Sequence, residues 1–437
     1  MLERLFALET FGIKLGLENI ERLCAALGHP QRAFATVHVA GTNGKGSVAA
    51  MVHAALLAAG VRAARYTSPH LIDITERFTI GESPVSREAL EAAAARVLDC
   101  ADRLQATGDL RVTPTFFEAT TAAAFDLFRD ARTEIAVIEV GMGGRFDATN
   151  VVEPIAGAIT TIGLDHQEYL GGTLEQIAFE KAGIIKRGMT VVAGPLPAAA
   201  HAVIRRTADE RDARLLDAFD GVDVDVRMHD GAASLTVSTP RRRYGPLTLG
   251  LSGAHQVANA MVAIHLLEAA ESRGFPLTAD AVAEGLARPR WPARLETFAL
   301  GDCRLVLLDA AHNEDGAAAL ADHIRRWLPE PPVLVFGVMR DKDVTAMLRE
   351  LLPVVSRLIV TAAPTPRAMP PAELALQAAA VASRLDTASA RVPVHAVADP
   401  EDAVRQALGA SPLVCVAGSI FLAGAVRDSL ERRTMLR

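Results

Sequence analysis

Short apolar runs rich in Val, Ile and Ala alternate along the chain with longer stretches of helical periodicity. Residues 34–40 (FATVHVA) predict a strand, and 47–59 (SVAAMVHAALLAA) predict a buried helix closed by Gly60. A strand follows near 61–66, helices over 87–104 and 116–129, and strands over 134–140, 156–162 and 190–193. Alternation of this kind predicts a mostly parallel sheet with helices on both faces. Between residues 221 and 251 the pattern changes to short antiparallel strands joined by turns, with Asp230-Gly231 as a hairpin signal. Helices return over 255–270 and 279–287, and 288–294 (RPRWPAR), with two prolines and clustered charge, reads as a linker. Beyond it the alternation restarts in RLVLLD, PVLVFG, RLIVTA, VPVHAVAD and PLVCVAG, each followed by a helical stretch. The expected fold is α/β in two domains, 1–290 and 291–437, the second a smaller doubly wound unit.

Composition narrows the function. The 437 residues carry 45 Lys+Arg against 52 Asp+Glu, a net charge of −7, which argues against a protein that coats nucleic acid or an anionic membrane. Half the residues are hydrophobic and 22% are charged, enough for buried cores and unlike a disordered chain. Glu3, Arg4 and Glu9 interrupt the first apolar positions, so no secretory core is expected, and no apolar run reaches transmembrane length. The four cysteines (Cys24, Cys100, Cys303, Cys415) lie far apart without metal-type spacing. The basic run at 241–243 reads as a solvated face, and GxSxG and HExxH are absent. A cytoplasmic enzyme is the expectation.

The sharpest chemical feature lies between the first strand and the first buried helix: Gly41-Thr42-Asn43-Gly44-Lys45-Gly46-Ser47. Glycines let backbone N–H groups turn toward phosphate oxygens, and the helix adds its positive amino end. Lys45 supplies a point charge for the outer phosphates, and the Ser47 hydroxyl suits Mg2+. The loop departs from the GxxxxGK[ST] pattern, because Val39 stands at its first position and Gly46 separates Lys45 from Ser47. A Gly-rich turn with an exposed lysine is the plainer alternative; strand, helix and hydroxyl together favour phosphate.

That departure, GTNGKG[ST], resembles the Mur-type amide ligases and, within them, the folylpolyglutamate and dihydrofolate synthases. Further segments are similar to that family in the same order: YTSPHL at 66–71 with TER at 75–77, PTFFE at 114–118, EVGMGGRFDATN at 139–150, and Asp165-His166. They continue with EKAGIIK at 180–186, GAHQ at 253–256 with Asn259, Arg294, DAAHN at 309–313, GVMRDKD at 337–343 and Gly418-Ser419. The resemblance runs almost end to end. It implies a Mur-ligase-like P-loop ATPase domain with the pterin or folate site over 1–290, and a Rossmann-like ligase domain over 291–437.

Each segment also has a reading from its own chemistry. Glu139 ends an apolar strand, where open α/β sheets bind ligands; an acid there either holds a phosphate-bound metal or caps a backbone amide. The resemblance implies the first, with Ser47, Ser68, Glu139 and His166 as ligands of two Mg2+ ions. Chemistry alone does not choose His166, since Mg2+ prefers oxygen, and Ser-Pro ordinarily marks a turn. Lys181 reads as a solvated lysine, but its family counterpart is carbamylated by CO2 into a carboxylate.

The resemblance makes Lys45, Lys181 and His166 catalytic. It makes Thr42, Asn43, Gly44, Lys45, Gly46, Ser47, Asn259, Arg294, Asp309 and His312 nucleotide contacts. It places the pterin-bearing acceptor at Gly12, Ile13, Lys14 and Leu15, at Thr115, Phe116, Phe117 and Glu118, and at Phe146, Asp147, Ala148 and Asn150. Phe117 suits stacking on a flat heterocycle and Asp147 suits pterin N–H donors. By periodicity alone, 116–125 reads equally as the apolar face of a helix.

The implied chemistry is carboxylate activation: ATP phosphorylates an acceptor carboxylate, and the amine of L-glutamate, held near 309–313, displaces phosphate to form an amide. Dihydropteroate and reduced folates are the implied acceptors, taken by one bifunctional enzyme that works as a monomer. The alternatives are a synthase that only extends folates, a muramyl-peptide ligase, and a binding protein that uses ATP as a switch.

Overall fold

A computed structural model describes residues 1–12, 16–300, 303–385 and 392–435. The chain divides into two compact units. The first comprises Met1–Val226, Ser234–Gly250 and Val257–Arg290; the second comprises Arg227–Ala233, Leu251–Gln256 and Trp291–Arg437.

The first unit is built on eight strands: β1 (Ala35–Ala40), β2 (Ala63–Tyr66), β3 (Phe78–Ile80), β4 (Ser83–Pro84), β5 (Ile135–Glu139), β6 (Ala156–Ile159), β7 (Thr190–Ala193) and β8 (Arg214–Asp217). Their order is β4-β3-β2-β5-β1-β6-β7-β8. Strands β2, β5, β1, β6, β7 and β8 are parallel, and β3 and β4 add an antiparallel edge. β5 is buried along its whole length, as a strand covered on both faces must be. Val39 pairs with both Glu139 and Ala158, so the loops leaving β1, β5 and β6 emerge side by side at one edge. That edge is where an open parallel sheet places its ligands.

The helix Lys45–Ala58 follows β1 and buries nearly every residue through Leu56, as its apolar, unperiodic sequence requires. The helix Phe116–Asp130 begins with a capping box: Thr115 accepts the Glu118 N–H, and Glu118 accepts the Thr115 N–H at 2.7 Å. A three-stranded antiparallel sheet, β9 (Asp223–His229), β10 (Ala232–Ser238) and β11 (Arg243–Thr248), forms where the pattern changed. Its central strand turns Ala233, Leu235 and Val237 inward.

The second unit holds β12 (Glu296–Leu300), β13 (Arg304–Leu308), β14 (Val333–Phe336), β15 (Arg357–Val360), β16 (Val394–Ala396) and β17 (Leu413–Ala417). The order is β12-β13-β17-β14-β15-β16, parallel except for β12. The strand expected over 156–162 stops at Ile159, because Thr160 and Thr161 turn their hydroxyls to the loop after β1 instead of continuing the ladder. The short strands β3, β4, β8 and β12 are additions to the sequence reading. No helix among the described residues is long and apolar enough to cross a membrane.

Candidate active site

The site begins at the carboxyl end of β1. Gly44 has a φ of 85°, and a Cβ there would overlap Asn259 Oδ1; only glycine meets both conditions without strain. The N-cap of the helix that starts at Lys45 is Gly44, which has no side chain to cap it. The segment after β6 fixes the loop's shape. Thr42 N–H donates to the Thr161 carbonyl at 2.8 Å, and Asn43 N–H donates to Thr161 Oγ1 at 2.9 Å. Thr160 Oγ1 donates to the Asn43 carbonyl at 2.5 Å, and Gly163 N–H donates to Thr42 Oγ1 at 3.0 Å. Ser47 is buried in the first helical turn.

Two lysine amines converge on one carbonyl. Lys45 Nζ lies 3.0 Å from the Gly41 oxygen and 3.0 Å from that of Thr42. Lys181, on the helix Leu174–Ala182, places its own Nζ 2.9 Å from the same Gly41 oxygen. Burial, and then the positive charge of Lys45, push the Lys181 amine down to about 7, opposed by Asp165 and Asp147. An amine with that value is a fair nucleophile toward CO2 and a poor permanent cation.

Glu139 ends β5, buried, and accepts the Ser68 N–H at 3.3 Å. The sheet thereby brings Ser68, from beyond β2, to the carboxylate of Glu139. His166 is elsewhere in character: its side chain is 39% exposed, its φ is 51°, and its N–H bonds Asp165 Oδ1 at 2.9 Å. Among the described residues no three His, Cys, Asp or Glu side chains gather as a metal cage. Mg2+ bound with phosphates does not require one, since it keeps water and phosphate oxygens in its shell. The oxygens of Ser47, Ser68 and Glu139 suit that ion; the imidazole of His166 suits it less well.

The acceptor segments are held by the fold in distinct ways. Thr115 and Glu118 spend their side chains on the helix cap, and Asn19 Nδ2 adds a third donor to Glu118 Oε2 at 3.3 Å. Phe116 is buried, stacked on Phe6 at 5.7 Å with the Arg77 guanidinium 5.2 Å above it. Phe117 is half-buried: its ring lies against the backbone of Gly141, and Tyr66 is 6.1 Å away. Phe146 is 38% exposed and takes the Arg145 guanidinium 4.3 Å over its face, while Arg145 also pairs with Glu180 at 2.7 Å. Asp147 is buried; its Oδ2 accepts Met142 N–H and its Oδ1 accepts Thr149 N–H and the Thr149 hydroxyl. Burial raises its carboxyl, and those bonds hold it back. Ala148 is buried, and Asn150 donates to the Arg145 and Gly183 carbonyls, leaving its buried Oδ1 without a partner. Gly12 is exposed with a φ of 64°; Ile13, Lys14 and Leu15 lie outside the described residues.

In the second unit Asp309 follows β13, buried, its oxygens accepting Leu295 N–H and Ala311 N–H at 2.8 Å each. Burial raises its carboxyl and Arg294 opposes that rise. Arg294 sits between Ala293 and Leu295, both at positive φ, and its charge also bears on His255, whose imidazole is pushed down to about 4 by desolvation first and Arg294 second. His312 Nδ1 donates to the Ala310 carbonyl at 2.8 Å, which fixes its tautomer. Sequence reasoning gave Thr160, Thr161 and Arg77 no role. The available signal for the two threonines was a pair of hydroxyls directly after an apolar strand.

The chain matches the Mur ligase middle domain over residues 39–267 and the glutamate ligase domain of Mur ligases over residues 293–420. It is 36% identical to the folylpolyglutamate synthase of Lacticaseibacillus casei over 423 residues, 94% of either chain. It is 32% identical to the dihydrofolate synthase/folylpolyglutamate synthase of Bacillus subtilis (strain 168), over 96% of each. Among solved structures, it superposes on the folylpolyglutamate synthase of Mycobacterium tuberculosis complexed with ADP and AMPPCP. The TM-score is 0.90 at 34% identity, over 98% of both chains. With both halves matched in order and relatives above 30% identity over nearly the whole chain, this chain belongs to the Mur ligase family, in its branch of folylpolyglutamate and dihydrofolate synthases.

Proposed function

We propose that this chain is an ATP-dependent ligase that adds L-glutamate to dihydropteroate and to reduced folates. The observation that carries the reading is the near full-length match to enzymes of both names. A relative solved with ADP and AMPPCP supports ATP as the nucleotide. Phe117 against Gly141 and the Asp147 carboxylate on Met142 N–H, both at the loop after β5, support a pterin-bearing acceptor, and with it the bifunctional form.

The reaction assigned to the site is stepwise. An oxygen of the acceptor carboxylate attacks the γ-phosphorus of ATP in line, the bond to the β–γ bridging oxygen breaks, and ADP leaves. The amine of glutamate then attacks the acyl phosphate carbon, loses a proton, and expels inorganic phosphate as the amide forms. Such transfers depend on positioning and charge stabilisation. The backbone of residues 44–47 and the Lys45 ammonium are assigned to the terminal phosphates. Lys45 would exchange its present bonds to Gly41 and Thr42 for phosphate oxygens. Ser47, Ser68 and Glu139 would hold Mg2+, with His166 as a further donor; bound there, the ion neutralises charge on the transferred phosphoryl group. Lys181, whose amine burial pushes down to about 7, is assigned to carbamylation, which would set a carboxylate beside Lys45.

Asn259, packed on Gly44, is assigned to the nucleotide, as are Arg294, Asp309 and His312. Residues 309–313 are assigned to glutamate handling. The domain limits 1–290 and 291–437, a monomer and a cytoplasmic location belong to the same proposal.

An isotope experiment tests the chemistry. With 18O in the acceptor carboxylate, one labelled oxygen should appear in the released phosphate with each turnover. Label retained wholly in the folate product would rule out the acyl phosphate.

A further inference from the structure

His38 sits mid-strand in β1, with none of its surface exposed, among apolar neighbours. A buried imidazole is a poor choice for a sheet core unless it makes a bond that an aliphatic residue cannot. It makes one: Nε2 lies 2.9 Å from Thr149 Oγ1, while Nδ1 is buried without a partner. The same Thr149 hydroxyl lies 2.5 Å from Asp147 Oδ1. Beyond Asp147, the other carboxylate oxygen accepts Met142 N–H at 2.9 Å. A continuous chain thus runs from β1 to the backbone of the loop that follows Glu139.

Proton counting gives the chain a direction. Thr149 has one hydroxyl hydrogen and two polar neighbours. If Thr149 donates to the carboxylate, the bond to His38 requires hydrogen on Nε2, and the orphan Nδ1 is then only an unfilled acceptor. The reverse order needs a protonated Asp147 and leaves a buried Nδ1–H with no acceptor, the less tolerable defect. Burial pushes the imidazole down to about 3, so the ring is neutral in either case.

We infer that His38 is a positioning residue for acceptor binding: its Nε2–H orients the Thr149 hydroxyl, which locks Asp147 against the loop 141–147. The inference rests on the acceptor reading above, because Phe146 and Asp147 carry the pterin in that reading. Opposite anchors hold the same segment: Lys186 Nζ bonds the Asn150 carbonyl at 2.9 Å, and Asn150 Nδ2 bonds the Arg145 carbonyl at 2.9 Å. Without the His38–Thr149 link, Asp147 keeps its charge and its two backbone donors but no longer has an oriented Thr149 hydroxyl on Oδ1. Acceptor binding should suffer while nucleotide binding, governed by the loop 41–47, does not.

Two measurements test this. In the wild-type chain labelled with 15N-histidine, His38 should give the shifts of the Nε2–H tautomer; an Nδ1–H tautomer overturns the direction of the relay whatever the activity. In kinetics, His38→Met and Thr149→Val should each raise the acceptor KM about tenfold, the loss of one buried hydrogen bond, with the ATP KM within twofold. His38→Gln, whose amide places an N–H near the Nε2 position, and Thr149→Ser should bring the acceptor KM back toward wild type. Equal losses in His38→Met and His38→Gln, or parallel rises in both KM values, would mean a merely structural histidine and end the proposal. If the wild type glutamylates neither pteridine acceptor, the acceptor reading fails instead, and the tautomer decides the relay on its own.

Discussion

Replacing Lys181 with Met should make this protein more stable and inactive together. The Lys181 amine is buried, and burial with the neighbouring Lys45 charge pushes it from 10.5 down to about 7. Holding it as an ammonium at low pH therefore costs on the order of 5 kcal/mol relative to water. The sign follows from proton uptake. Between pH 7 and 10.5 the unfolded chain binds the proton that the folded chain has released, so stability rises with pH across that window. Below pH 7 both forms are protonated and the full penalty stands.

Met is close in volume and needs no solvation, so Lys181→Met removes the penalty and forfeits about 1 kcal/mol for the bond to Gly41. The expected gain is several kcal/mol at pH 6 to 7 in CO2-free buffer, shrinking toward pH 10. Urea titrations at three pH values read it. Bicarbonate should raise the wild-type melting temperature at pH 8, where neutral amine is plentiful, and leave the variant unmoved. A variant less stable than wild type at pH 7, or one that retains turnover, would refute the placement of a near-neutral amine in the catalytic machinery.

Removing the Lys45 charge with Met should lower kcat by about 100-fold or more if, as proposed, its ammonium opposes charge on the transferred phosphoryl group; a tenfold loss or less would contradict that assignment. Gly41 has a φ of 148°, and a Cβ there would overlap Thr160 Oγ1. Gly41→Ala should therefore destabilise by about 2 kcal/mol or more and abolish the thermal shift given by AMPPCP; a normal nucleotide shift would show that the loop tolerates displacement. Burial holds the imidazoles of His38 and His53 down to about 3, and that of His70 to about 4. The unfolded chain takes up these protons first as pH falls below 6.5, so stability present above that value is lost on acidification, by up to about 1.4 kcal/mol per pH unit for each group. Melting temperatures measured from pH 7 down to 5, above the ordinary carboxylate range, should fall steadily; a flat profile would place these rings in water.

The glycine-rich loop after β1 was legible because its features are contiguous: glycines, lysine and serine stand within seven residues between a strand and a helix. The alternation of strands and helices was legible for the same local reason. What holds the loop in shape was not, because Thr160, Thr161 and Lys181 reach it only through the order β5-β1-β6, and periodicity says nothing about which strands become neighbours. Glu118 shows the opposite difficulty. A carboxylate beside Phe116 and Phe117 reads as substrate chemistry, yet Thr115 three residues earlier marks a capping box, and the cap takes its oxygens. The edge strands β3, β4 and β12 are too short or too exposed to carry a clear alternation.

The central claim is glutamylation of a pteroyl carboxylate driven by ATP. Its most direct test is ADP release by the purified chain with Mg-ATP and L-glutamate, with dihydropteroate or tetrahydrofolate added separately and the products weighed by mass spectrometry. The expected result is a product heavier by one glutamyl residue from each acceptor, with one ADP released per addition. ATP binding without a glutamylated product from either acceptor would contradict it.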